Sequence, residues 1–150
     1  MQNTKLAGKE RIAYGKLSWV TLLAALTAAV ANALVYFAAS RLGFIPQSVL
    51  MPTPSGEHPL TVAPVVVSSV VGAIGAAIVF AIIDLFARRP VRLFRIVAAV
   101  VLVLSFAMPL TIPGAPVAMI LSLEVMHVAA WAVIVGLLTT MARQAKAASA

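Results

Sequence analysis

Glu124 and His127 stand three residues apart in an otherwise apolar stretch, and Trp131 follows one turn later. On a helix that spacing puts all three on one face. A carboxyl group beside an imidazole is equipped to pass a proton or hold a cation, and Glu-x-x-His is also the pattern with which di-iron bundles bind metal. Those bundles carry the pattern twice, with further carboxylates from other helices. This chain has one copy and no other carboxylate at that depth, so no metal site is expected. The simpler reading is a buried Glu–His pair, or a protonated Glu bonded to a neighbouring helix, that fixes packing. Nucleophilic catalysis finds no support, because the chain has no cysteine and no serine has a histidine placed in sequence to suggest a triad. One intramembrane histidine would give a haem a single axial ligand, so no cofactor is expected either. His58, between Glu57 and Pro59, reads as a solvated loop side chain.

The elements that must position these residues follow from composition. The chain has 150 residues and 15.6 kDa, with 63% hydrophobic and 10% charged residues and a mean hydropathy of +1.08. Soluble domains carry roughly 45–50% apolar and about 25% charged residues, so too little polar surface exists here to cover a globule in water. The absence of cysteine excludes a disulfide scaffold or a thiol redox protein. A net charge of +7 and a pI near 11.0 would suggest nucleic acid in a soluble protein. Here the basic residues fall at the ends of apolar runs and leave no polar basic face, so no nucleic-acid partner is expected and topology explains them.

Residues 1–150 read as a single transmembrane domain: an all-α, four-helix antiparallel bundle. A basic tail (1–16) precedes a first span over 17–40, and an outer proline-rich loop (41–59) leads to a second over 60–87. A basic turn (88–89) joins it to a third span over 90–108, where Arg92 and Arg95 snorkel toward water. A short outer loop (109–116), a fourth span over 117–141 and a tail (142–150) complete the chain. Each span is long enough to cross a hydrocarbon core of roughly 30 Å at about 1.5 Å per residue. Lys5, Lys9, Arg11 and Lys16, then Arg88, Arg89, Arg92 and Arg95, then Arg143 and Lys146 all fall on one side, which leaves Arg41 on the other. Both termini are therefore expected in the cytoplasm. The small residues Ala29-Val30-Ala31 and Ala31-Asn32-Ala33 imitate a signal-peptide cleavage site, but the apolar run continues past them to Ala39, as a spanning helix would. The mass of the purified protein checks that reading.

A charged group at the bilayer centre costs at least about 2.5–3.5 kcal/mol, so the polar residues inside the spans need a reason to be there. At about 1.5 Å per residue, Asn32, Ser68, Ser69 and Glu124 all lie roughly 10–14 Å below the outer boundary, and Ser105 is within reach of that layer. Asn32, Ser68, Ser69, Ser105, Glu124 and His127 are therefore expected to converge in the bundle interior, because lipid cannot satisfy them. Ser68, Gly72 and Ala76 form a small-residue stripe on the second span. It is read first as a contact with the first or third helix and second as a homodimer seam. Asp84, four residues before Arg88, is expected to pair with it on one helix face. The basic turn Arg88, Arg89, Arg92 and Arg95 is a topology signal and equally a patch for anionic lipid headgroups.

The segments Ala31-Asn32-Ala33-Leu34-Val35-Tyr36, Arg89-Pro90-Val91-Arg92-Leu93-Phe94-Arg95, Val103-Leu104-Ser105 and Met126-His127-Val128-Ala129-Ala130, with the proline-containing approach to the second span, set a pattern over about 17–138. In these the chain resembles a family of small four-helix bacterial integral membrane proteins with no assigned activity. The resemblance implies a fold and a bacterial cytoplasmic membrane, and it carries over no functional residue. Two functions are left to weigh. One is a non-enzymatic structural or partner-binding bundle, as a homo-oligomer or beside a larger membrane partner. The other is a small proton- or cation-coupled transporter or channel using Glu124 and His127.

Overall fold

The computed structural model describes residues 12–53 and 56–143, so Lys5, Lys9, Arg11 and Lys146 of the basic tails lie outside the described residues. In chain order the elements are α1 (Tyr14–Arg41), β1 (Leu50–Thr53), β2 (Gly56–Pro59), α2 (Val62–Phe86), α3 (Pro90–Ser105), α4 (Ala107–Leu110) and α5 (Val117–Met141). Four helices, at Tyr14–Arg41, Val62–Phe86, Pro90–Leu110 and Val117–Met141, are long and apolar enough to cross a membrane. A helix bonds its own backbone groups, which is why such apolar runs adopt it where no water is present.

Prolines and a glycine set the boundaries. Pro90 opens α3, where a missing N–H is harmless. Pro109 has no N–H to offer the Ser105 carbonyl, and the helix breaks at Phe106 to leave the single turn α4. Gly43, at φ +75°, ends α1: its N–H reaches the Ser40 carbonyl at 3.1 Å and the Phe44 N–H reaches that of Ala39 at 2.9 Å. Those two bonds make a Schellman cap.

Helix α1 is the centre of the molecule and packs against both α2 and α5 along its length. Its inward face is largely alanine (Ala24, Ala25, Ala28, Ala29) and meets Ala73 and Ala77 of α2, so the backbones approach closely. Two apolar clusters result. One gathers Val20, Phe80, Val91, Phe94 and Leu138 at the end that carries the arginines; the other gathers Tyr36, Leu60, Val65, Met119 and Met126 at the opposite end. The start of each long helix thus lies beside the end of its predecessor, and the long helices alternate in direction. The segments flanking α1 and α5 meet: the Ala13 N–H donates to the Ala142 carbonyl at 2.8 Å, and Ile12 bridges Arg143.

The 41–59 segment contributes an element that the loop reading did not contain. Strands β1 and β2 pair antiparallel, Leu50 opposite Pro59 and Thr53 opposite Gly56, so the fold is mostly rather than wholly helical. A two-stranded ribbon accepts Pro52 and Pro59 because each strand keeps an open edge that needs no donor. Ile45 and Val49 fold back into the second apolar cluster, and the Tyr36 hydroxyl donates to the Leu60 carbonyl at 3.0 Å.

Helix α3 is held differently. Only Pro90, Val91 and Phe94 are buried, and the Phe94 ring stacks on Phe80 with centroids 4.6 Å apart. Beyond Phe94 no residue of α3 is buried, and past the contacts that Arg95 makes with Thr139 of α5 and Ala98 with the first apolar cluster the helix stands away from α2 and α5.

Candidate functional site

In a low-dielectric surround each hydroxyl needs an acceptor, and most find one on their own helix. Ser68 and Ser69 both donate to the Val65 carbonyl (3.1 and 2.8 Å), Ser105 to Leu102 (2.7 Å) and Ser122 to Ala118 (2.7 Å). Asn32 does not follow this pattern. Its Nδ2 donates across to the Ser69 Oγ at 2.9 Å, in the layer between the two apolar clusters. Because the Ser69 hydrogen is committed to Val65, the Ser69 oxygen can only accept, which fixes the amide with its NH2 toward α2. Asn32 Oδ1 is then an acceptor with no partner among the described residues, on a side chain only 6% exposed.

Asn32 lies on the wall of a cavity of about 780 Å³ between α2, α3 and α5. The stand-off of α3 opens it, and small residues widen it: Gly72, Gly75 and Ala76 on α2, Ala98 on α3 and Ala130 on α5. A Cβ at Gly72 or Gly75 would touch nothing within 4 Å. His127 and Trp131 line the opposite wall. His127 Nδ1 lies 2.8 Å from the Leu123 carbonyl. A carbonyl only accepts, so Nδ1 carries the hydrogen and Nε2 of the neutral ring is an acceptor. The Trp131 indole N–H is buried with no acceptor among the described residues. An otherwise apolar cavity with a few spare polar groups on its wall is the usual form of a small-molecule site.

The structure brings Asn32, Ser68, Ser69, Ser105 and His127 to this cavity but leaves Glu124 off its wall. Glu124 is half-buried, its Oε2 has no partner among the described residues, and it makes no bond to His127. The expected Glu–His pair fails because the imidazole turns back to the carbonyl one helical turn earlier. Of the six residues expected to converge, only Asn32 and Ser69 bond to each other across helices; hydroxyls satisfied within their own helices have no need to converge.

The expected packing stripe is also displaced. Ser68 and Gly72 are exposed toward the cavity, and the row buried against the other helices is its neighbour, Ser69, Ala73, Ala77, Phe80 and Asp84. Nor does Asp84 pair with Arg88. Helix α2 ends at Phe86 and the chain turns extended at Ala87, so no i,i+4 face connects the two. Asp84 is fully buried instead and accepts a hydrogen bond from the Tyr14 hydroxyl at 3.1 Å. Tyr14 at the start of the first helix was the available signal, a phenol at the same depth as a buried carboxyl group. Tyr14→Phe is expected to lower thermal stability by about 1–3 kcal/mol, the cost of stripping a bond from a buried acceptor. An unchanged unfolding midpoint would show that the bond is dispensable.

No three His, Asp or Glu side chains come together among the described residues. No curated protein and no solved structure matches this chain. One family model does, over residues 13–144, a stretch that takes in all four long helices and the hairpin between the first two. The chain therefore belongs to DUF6069, a family of unknown function.

Proposed function

We propose that this chain is a non-enzymatic bundle of a bacterial cytoplasmic membrane that holds an apolar, hydroxyl-bearing molecule in the cavity between α2, α3 and α5. The observation that carries the reading is Asn32, a residue of the cavity lining whose Oδ1 is oriented by Ser69, sealed from the surface and without a donor among the described residues, so that a ligand reaches it once the adjoining side chains give way. An unmet acceptor in a dry site is costly, and a ligand that donates to it removes that cost. A hydroxyl group suits this lining because it donates to His127 and, once neighbouring side chains shift, donates to the sealed Asn32 Oδ1 or accepts from the sealed Trp131 N–H. A partner's transmembrane helix, about 10 Å across and roughly 30 Å long, would need far more room than 780 Å³. A second copy or a larger membrane partner would therefore pack on the lipid-facing surfaces and leave the cavity to a small molecule. The charge distribution supports termini in the cytoplasm. Lys16, Arg88, Arg89, Arg92, Arg95 and Arg143 lie at one end of the bundle and Arg41 at the other.

Protein purified in mild detergent tests the reading through mass spectrometry of its organic extract. One hydroxylated apolar species, enriched over its share of the source membrane, is expected. An extract with the composition of the bulk membrane would refute it.

A second reading, proton or cation passage, is favoured by the buried, partnerless Glu124 Oε2 and by His127 Nε2 beside the cavity. It predicts flux in reconstituted vesicles that Glu124→Gln abolishes without loss of thermal stability. Absence of flux in both proteins removes this reading and leaves the binding site untouched.

A further inference from the structure

At the arginine end a second pocket, of about 460 Å³, is lined by Val91, Arg92, Arg95, Ile96 and Arg143. It brings the start of α3 together with Arg143, the second residue after α5, which are far apart in the chain. Two of its three arginines are held in place. Arg95 donates through Nε and Nη2 to the hydroxyl of the fully buried Thr139, at 3.3 and 3.0 Å. That leaves three of a guanidinium's five N–H donors uncommitted. Arg143 is fixed through its backbone by the bridge to Ile12, beside the buried Ala142.

No described carboxylate answers these charges. Asp84 is turned to Tyr14, while Glu57 and Glu124 belong to the opposite half of the molecule. None of the three arginines forms an ion pair among the described residues, and α3 has no acidic residue in its first turn. Guanidinium groups gathered around one pocket repel one another until an anion enters, and their planar forks match the oxygens of a phosphate. Topology needs only positive charge near the ends of the spans, which Arg88 and Arg89 already supply from outside the pocket.

We infer that Arg92, Arg95 and Arg143 form a built site for a phosphate group, carried either by an anionic lipid headgroup or by a free phosphate. The inference is independent of the cavity between α2, α3 and α5. Two probes separate the sources. The first is native mass spectrometry of the full chain taken from vesicles of mixed phosphatidylcholine and phosphatidylglycerol. The second is inorganic phosphate added to lipid-free protein in detergent and followed by phosphorus NMR.

Either probe is expected to bind, and Arg92→Gln and Arg143→Gln each weaken it about tenfold, the scale of one charge-assisted bond. The Arg88→Gln, Arg89→Gln double variant binds as the parent does. Thr139→Val, which removes the acceptor that orients Arg95 but leaves its charge, weakens binding less than loss of an arginine. Retained phosphatidylglycerol that inorganic phosphate does not displace identifies the headgroup, and displacement identifies the free anion. These arginines are exposed, so the variants should keep the parent's unfolding midpoint. Equal weakening by all the arginine variants would mean a diffuse surface charge, which treats every basic residue alike. That result, or binding of neither probe, overturns the site.

Discussion

Phe94→Ala is expected to lower the unfolding free energy by about 2–4 kcal/mol and to free α3 from the rest of the bundle. In soluble cores, truncation of a buried phenylalanine costs about 3–5 kcal/mol, as a transfer term plus a cavity term. Inside a bilayer the transfer term shrinks, because lipid is as apolar as the core, and the packing share is what is lost. Here that share is concentrated. Phe94 is 1% exposed, its stacking partner Phe80 is fully buried, and beyond Phe94 nothing on α3 is buried. Leu102→Ala, on the standing-off half of the same helix, serves as the contrast and should cost less than about 1 kcal/mol. Thermal unfolding checks the stability difference, and cross-linking between cysteines placed on α2 and α3 checks the detachment. Equal loss from the two substitutions would mean that α3 is packed along its whole length.

The second large effect is on binding. Gly72→Phe is expected to remove ligand from the cavity while leaving the protein as stable as before. A side chain at Gly72 starts in open space, with nothing within 4 Å of its Cβ, and the residue faces the cavity. Overpacking a filled core costs about 1–3 kcal/mol, whereas replacement of a helical glycine recovers a few tenths, roughly, in helix propensity. Stability therefore reports whether the space exists, and binding reports whether it is used. A clear drop in the unfolding midpoint would show that the cavity is closed in the membrane.

The four long helices were legible in the sequence because a membrane helix has to be a continuous apolar run, and length and hydropathy find such runs. Depth was legible as well. Counting residues from the span ends placed Asn32 and Ser69 in one layer, where they bond. Rotation about the helix axis was not legible, since helices apolar on every face give no periodicity from which to read an inward side. That single ambiguity accounts for the largest errors. It put Ser68, Gly72 and Ala76 in the packing row that belongs to Ser69, Ala73 and Ala77. The Asp84 error came from the end of α2, which lies two residues short of Arg88. The meeting of Arg143 with Arg95 depends on how α5 packs on α3, and no local pattern encodes it. The hairpin was hidden by prolines that argued correctly against helix and said nothing about strand pairing.

On the proposed reading the cavity binds a molecule by its apolar body and by a hydrogen bond to Asn32. Equilibrium binding of labelled hexadecanol, compared with labelled hexadecane, to the protein reconstituted in nanodiscs tests it most directly. The alcohol should bind saturably, one per chain, and more tightly than the alkane. Asn32→Ala should erase that preference, and Gly72→Phe should abolish saturable binding of both. Equal, unsaturable partitioning of alcohol and alkane into discs holding parent and variant proteins would contradict the claim.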